Sequence, residues 1–285
     1  MDQQARPFRS VLYIPGSRER ALEKARSLPA DAIIFDLEDA VLPEEKDTAR
    51  SLLADWLARR DYGPRFRILR INGFDTSWGR ADAAAFAGAA IDALLIPKVS
   101  SAEDIEAVAA VVPDLPLWAM METAAGALNA AAIAAHPRLQ GMVMGTNDLA
   151  RELGSRTRPD RLPLQPALGL CLLAARAQGR VIVDGVYNAF RDAAGLRAEC
   201  EQGRDMGFDG KTLVHPDQLA IANTVFAPTD EELSVARRQI EAFDQARAAG
   251  QGVAVVDGKI VENLHIVTAR ALIARAGTIA AIAAQ

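Results

Sequence analysis

Eight short apolar, β-branched runs recur between residue 8 and about residue 226, and a longer amphipathic stretch follows each one. That alternation constrains the fold more than any other feature, because parallel strands need long crossovers and sheets built that way are covered on both faces by helices. Strands are expected near 8–14 (FRSVLYI), 31–37 (DAIIFDL), 66–71 (FRILRI), 92–96 (DALLI), 115–121 (LPLWAMM), 139–144 (LQGMVM), 180–184 (RVIVD) and 208–214 (FDGKTLV). Eight such units imply an α/β protein whose residues 1–228 form a closed (β/α)8 TIM barrel. A doubly wound open sheet is the alternative. It lacks its main support, since the turn after the first strand, IPGSRERA, holds one glycine rather than a dinucleotide fingerprint.

Local signals agree with this division. Ser100 with Glu103 fits a capping box, and Pro43 followed by Glu44 and Glu45 fits a first helical turn. The stretch 154–166 (GSRTRPDRLPLQP) reads as a long loop, of a length that is often functional. Residues 229–285 are surplus to a barrel and read as a helix-hairpin-helix extension. Thr229 and Glu232 cap the first helix, Asp257-Gly258 turns the hairpin, and a last helix starts near Glu262. Its stripe of Leu264, Val267, Ala271 and Ala274 needs burial, on the barrel or on a neighbouring subunit.

Composition narrows the function classes. Half of the chain is apolar, which excludes a disordered chain, and aromatics are only 5%, so Leu, Ile and Val are expected to fill the core. The net charge of −5, with basic residues scattered among acidic ones, argues against a nucleic-acid partner. MDQQARPFRS shows no secretory signal. No run is expected to reach the ~18–20 apolar residues of a membrane span, since Arg270, Arg275 and Gly277 interrupt the alanine-rich end. Cys171 and Cys200 make neither a disulfide framework nor a metal-spacing pair. A cytoplasmic protein without membrane or nucleic-acid partners is expected.

Ligands bind at the carboxyl ends of barrel strands, and there this sequence concentrates its charge. Strand two runs into Asp36, Glu38 and Asp39, strand three into Arg70, strand four into Lys98, strand five into Glu122, strand six into Asp148 and strand seven into Asp184. Asp184 and Lys98 read equally well as structural ion pairs or helix caps. Glu122 and Asp148 end neighbouring strands, about 4.8 Å apart, and two carboxylates at that spacing repel unless a proton or cation separates them. Oxygen donors without Cys or His point to Mg²⁺. Arg70 is suited to hold a carboxylate or a developing oxyanion. His136, His215 and His265 fit no catalytic triad.

In DLEDAV, RINGFDTSWG, METAAGALN, MGTNDLA and GFDGKTLVHPDQ, taken in this order, the chain resembles the citrate lyase β-subunit-like family of the HpcH/HpaI aldolase superfamily, which includes malyl-CoA and citramalyl-CoA lyases. The resemblance runs nearly end to end. It implies a Mg²⁺-dependent barrel, assembled as a homotrimer or hexamer, that reversibly cleaves a 3-hydroxyacyl-CoA to a CoA thioester and a 2-oxo acid. Matched position by position, Glu122 and Asp148 bind Mg²⁺, and Arg70 contacts the small acid. Glu38 and Asp39 hold metal waters and orient Arg70, while Tyr13, Arg18 and Lys24 contact CoA. Relatives carry a tail Asp that reaches a neighbouring subunit's site as acid/base. Here KIVENL places Glu262 there, one methylene longer, which leaves a shifted substrate, a weakened lyase or lost lyase chemistry open. At a helix start, Glu262 also fits a plain N-terminal role. An acyl-CoA lyase is the main expectation. A CoA-independent 2-oxo acid aldolase, an acyl-CoA thioesterase and a non-catalytic CoA- or acyl-carrier-binding subunit are the alternatives.

Overall fold

A computed structural model describes residues 6–59 and 62–283; the first five residues of the N-terminal stretch discussed above lie outside it. Two compact units form among the described residues, one from Phe8 to Phe226 and the other from Ala227 to Ala283 together with Arg6 and Pro7.

The larger unit is a closed barrel of eight parallel strands in sequence order: β1 (Ser10–Pro15), β2 (Ala32–Asp36), β3 (Phe66–Arg70), β4 (Ala93–Ile96), β5 (Leu117–Met121), β6 (Leu139–Met144), β7 (Val181–Asp184) and β8 (Gly210–Leu213). Ten helices cover it: α1 (Glu19–Ala25), α2 (Lys46–Ala58), α3 (Gly79–Phe86), α4 (Ala102–Ala109), α5 (Ala124–Leu128), α6 (Ala130–Ala134), α7 (Thr146–Glu152), α8 (Gln165–Ala177), α9 (Ala193–Met206) and α10 (Leu219–Val225). Every expected strand is present, and β1 pairs with both β2 and β8, which closes the sheet and disposes of the open alternative. Apolar residues alternate between two cores, as period-2 side chains must. Ile33, Phe35, Leu69 and Leu94 face the helices, while Val11, Ile34, Ile68 and Leu95 face the barrel interior.

Leu, Ile and Val make up most of the buried core, as expected, and three aromatics join them in the barrel interior: Phe8, Phe66 and Trp118 cluster there, with ring centroids 5.2–5.9 Å apart. Gly141 leaves the space, since a Cβ there would lie 2.4 Å from the Trp118 ring. Capping of α4 starts one residue later than expected. Asp104, not Glu103, accepts from the Ser100 and Ser101 amides, at 2.8 and 2.9 Å. The sequence offers two overlapping serine–acid spacings, and the chain uses the second.

The smaller unit contains α11 (Asp230–Ala248), an antiparallel hairpin of β9 (Ala254–Val256) and β10 (Lys259–Val261), and α12 (Asn263–Ala283). Thr229 and Glu232 cap α11 reciprocally. Asp257 and Gly258 both take positive φ, 51° and 75°, as a two-residue hairpin turn requires. On the last helix Ile266 and Ala269 are the residues buried within this unit, whereas Leu264 and Val267 of the expected stripe are exposed there. The expectation about membrane-length segments is corrected. By length and composition alone α12 is apolar enough to cross a membrane, because Arg270 and Arg275 do not interrupt the helix or offset its many aliphatic residues.

Candidate active site

Register sets up the charged mouth of the barrel. Asp36 and Arg70 end β2 and β3 as direct register partners, and their side chains form a two-point ion pair, Nε to Oδ1 at 2.8 Å and Nη2 to Oδ2 at 2.6 Å. Asp36 also accepts from the Glu38 and Ala40 amides, which folds the chain after β2 back over the strand end. Glu38 comes within 2.6 Å of Arg70 Nη1, and Asp39 lies 3.6 Å from the same nitrogen. Arg70 is buried, and these carboxylates hold it protonated, with its guanidinium 5.0 Å from the Tyr13 ring centre. Burial pushes the Glu38 carboxyl upward, against the opposing pull of Arg70 and Lys98.

Glu122 directly follows β5 and is 2% exposed. Its Oε1 accepts from the Lys98 amide at 2.8 Å. Burial first, then the nearby negative charge of Glu38, push its carboxyl up to about 7, with Asp148 adding to the effect. Gly145 occupies the matching position after β6, and a Cβ there would lie 2.3 Å from Glu122 Cβ and 2.5 Å from Oε2. The glycine of MGTNDLA is thus required by the carboxylate beside it. Asp148 lies in the first turn of α7, where the helix dipole favours an anion, and pairs with the exposed Arg151 at 2.5 Å.

A cleft of about 280 Å³ has Tyr13, Asp39, Arg70, Glu122 and Asp148 in its wall. Of the residues singled out from sequence, the structure brings these together with Glu38. Arg18 and Lys24 are exposed around α1 and outside that wall, so Tyr13 is parted from the two cations grouped with it. Glu262 immediately precedes α12 in the other unit, where its amide donates to His265 Nδ1 at 3.0 Å. Asp184 takes the structural role. Arg161 Nη1 reaches both its oxygens at 2.8 Å and Lys211 Nζ one of them at 3.2 Å, all buried. Arg161 belongs to the 154–166 loop, so this cluster clamps that loop over a second cleft of about 350 Å³. That cleft is the larger of the two, yet titratable groups converge on the smaller.

Sequence reading missed Asp36 as the partner of Arg70, and Lys46, whose buried ammonium binds the Leu37 and Glu38 carbonyls at 2.8 and 2.7 Å. It also missed Asn72 and Asp82, which tie the segment after β3 to that same loop. Only DLEDAVLPEEK and RINGFDTSWGRAD, taken as whole motifs, carried a signal for them.

The donors suit a hard cation. Among the described residues no three carboxylate, imidazole or thiol groups cluster as a metal site. Mg²⁺ typically takes one or two carboxylates and fills its other positions with water and substrate. Glu122 is buried, and among the described residues no cationic side chain is bonded to it; burial first, then the charge of Glu38, raises its carboxyl, and a divalent ion beside it would favour the charged form.

Comparison with known proteins fits this geometry. Residues 9–216 match the model of the HpcH/HpaI aldolase/citrate lyase family. A Cereibacter sphaeroides (strain KD131) protein named (3S)-malyl-CoA thioesterase is 74% identical over 285 residues, 100% of both chains. The L-malyl-CoA/beta-methylmalyl-CoA lyase of Cereibacter sphaeroides (strain ATCC 17029) is 34% identical, with 97% of each chain covered. The crystal structure of CitE from Mycobacterium tuberculosis in complex with magnesium, acetoacetate and coenzyme A superposes with a TM-score of 0.81. It is 31% identical and covers 96% of this chain and 99% of that one. The expected carbon–carbon lyase is therefore corrected. The full-length relative at 74% identity is a thioesterase, and the lyase relative is far more distant. The physical reason is that a strand-end arginine and nearby carboxylates, read from sequence, do not distinguish attack at a thioester carbonyl from cleavage of the neighbouring carbon–carbon bond.

Proposed function

The chain belongs to the HpcH/HpaI aldolase/citrate lyase family, and we propose that it is a thioesterase hydrolysing a small hydroxydicarboxylic acyl-CoA of the (3S)-malyl-CoA type. The observation that carries this reading is the 74% identity to a (3S)-malyl-CoA thioesterase across the whole chain. Water adds to the thioester carbonyl, the carbon–sulfur bond breaks, and the products are the free hydroxy diacid and CoA thiol.

Arg70 binds the free carboxylate of the acyl group. Asp36 engages Nε and one Nη2 hydrogen and Glu38 lies against Nη1, which leaves one donor each on Nη1 and Nη2 for a ligand. Glu38 and Asp39 hold that guanidinium in place and order water beside it. Glu122 and Asp148 hold Mg²⁺, which when bound supplies positive charge to polarise a substrate oxygen. Tyr13 walls the acid end, and Arg18 and Lys24 offer exposed cations to the CoA phosphates. Glu262 acts from the tail as proton donor or acceptor, within a trimer or hexamer. Its extra methylene, compared with the tail Asp of lyase relatives, favours hydrolysis. Carbon–carbon cleavage needs an acid held at hydrogen-bond reach of the enolate carbon, about 2.6–3.2 Å, whereas in hydrolysis the proton is taken from a water at the carbonyl, which a longer side chain can reach.

The test is release of free thiol from (3S)-malyl-CoA by the purified protein, with Mg²⁺ and with EDTA. Thiol release that EDTA stops and Mg²⁺ restores is expected. Absence of thiol release under both conditions overturns the reading.

A further inference from the structure

Lys98 has a left-handed backbone, with φ 53°, at the end of the β4 segment. A lysine held there costs of order 1 kcal/mol or more, and such strain persists only where the surroundings enforce it. Two contacts converge on this residue. Its amide donates to Glu122 Oε1 at 2.8 Å, and its ammonium donates to Glu38 Oε1 at 3.1 Å. Glu38 in turn is the second carboxylate against Arg70, at 2.6 Å.

We infer that Lys98 is a positioning residue for acid binding: its ammonium takes up the charge of Glu38 so that Arg70 remains attractive to a substrate carboxylate. Two buried carboxylates, Asp36 and Glu38, face the single charge of Arg70, and that trio alone is net anionic. Lys46 is close by, but its ammonium is committed to backbone carbonyls. Asp39, 3.6 Å from the same guanidinium, adds to that negative charge, and Lys98, bonded to the other oxygen of Glu38, supplies a second positive charge against it. The left-handed backbone lets one residue steady Glu122 through its amide and Glu38 through its side chain. The inference rests on the reading of Arg70 as the acid-binding group.

Binding of L-malate and of oxaloacetate, measured by calorimetry with Mg²⁺ present, reads this role without turnover. Lys98→Met keeps the stem and the amide but loses the charge. Its diacid dissociation constants are expected to rise on the order of tenfold, the effect of about 1.4 kcal/mol of lost attraction. Lys98→Arg restores affinity to within about threefold, and Lys98→Gly, which relieves the strain and keeps the amide, binds as poorly as Lys98→Met. In turnover the change falls on KM rather than kcat, and Mg²⁺ affinity stays within about threefold of wild type. Wild-type diacid affinity in Lys98→Met or Lys98→Gly overturns the inference. So does a joint fall of thermal stability, Mg²⁺ affinity and diacid affinity in Lys98→Met, and so does failure of the wild-type protein to bind either diacid. A wild-type protein that binds the diacids yet releases no thiol from malyl-CoA refutes the thioesterase reading and leaves the Lys98 comparison intact.

Discussion

Replacing Glu122 by Gln is expected to stabilise the metal-free protein at pH 8 and to make no difference near pH 4.5. Burial raises the Glu122 carboxyl from 4.5 to about 7, so between those values the folded protein binds a proton that the unfolded chain does not. Stability contributed by that proton is full below the unfolded value and is lost as pH rises through about 7. The shift of two to three units corresponds to about 3 kcal/mol at about 1.4 kcal/mol per unit. In a barrel of this size that is a change in Tm of roughly 5 °C or more. The neutral amide removes the dependence while keeping the shape and an acceptor for the Lys98 amide. Thermal unfolding of both proteins in EDTA, stepped from pH 4.5 to 8, gives the comparison. Excess Mg²⁺ at pH 8 should reverse the order by stabilising only the wild type. A stability gap independent of pH, or a metal-free wild type more stable than Glu122→Gln at pH 8, refutes the reasoning.

Three further outcomes follow from the same geometry. Arg70→Lys should fold normally but lose at least about 10²-fold in kcat/KM for malyl-CoA, since an ammonium cannot keep the two-point contact with Asp36 and still offer directed donors to a carboxylate; turnover near wild type would make Arg70 structural only. Gly145→Ala places a methyl 2.3 Å from Glu122 Cβ and should cost about 1–3 kcal/mol of stability together with most Mg²⁺ affinity by calorimetry; unchanged Mg²⁺ binding would remove Glu122 from the metal site. Arg161→Ala leaves Asp184 without its two-oxygen partner in the buried cluster and should lower stability to denaturant by about 3–5 kcal/mol; a loss under about 1 kcal/mol would show that Lys211 alone neutralises Asp184.

The barrel was legible because strand and helix periods differ and because charge collects at one end of each strand. The interior aromatics were not, since alternation along β3 and β5 does not say which of two buried faces encloses Phe66 and Trp118, and Phe8 lies before β1. Arg70 and Glu122 were readable as strand-end residues, whereas Asp148, expected at the end of β6, stands four residues beyond it in the first turn of α7. The partnership of Arg70 with Asp36 was not readable, because it depends on the β2–β3 register that aligns both last residues. Lys46 is a charged residue in a helical pattern, and only the closed loop after β2 reveals it as a buried anchor. The reaction was the least legible feature. In the proposed reading, hydrolysis and carbon–carbon cleavage draw on the same arginine and carboxylate pair, and they differ in where one proton and one water molecule arrive.

The central claim is tested most directly by turnover of (3S)-malyl-CoA in ¹⁸O-labelled water with Mg²⁺, the products being resolved by mass. Hydrolysis predicts free CoA and malate carrying one ¹⁸O in the carboxylate derived from the thioester, with no acetyl-CoA and no glyoxylate trapped as its hydrazone. Acetyl-CoA and glyoxylate as the products, with malate absent, would contradict it.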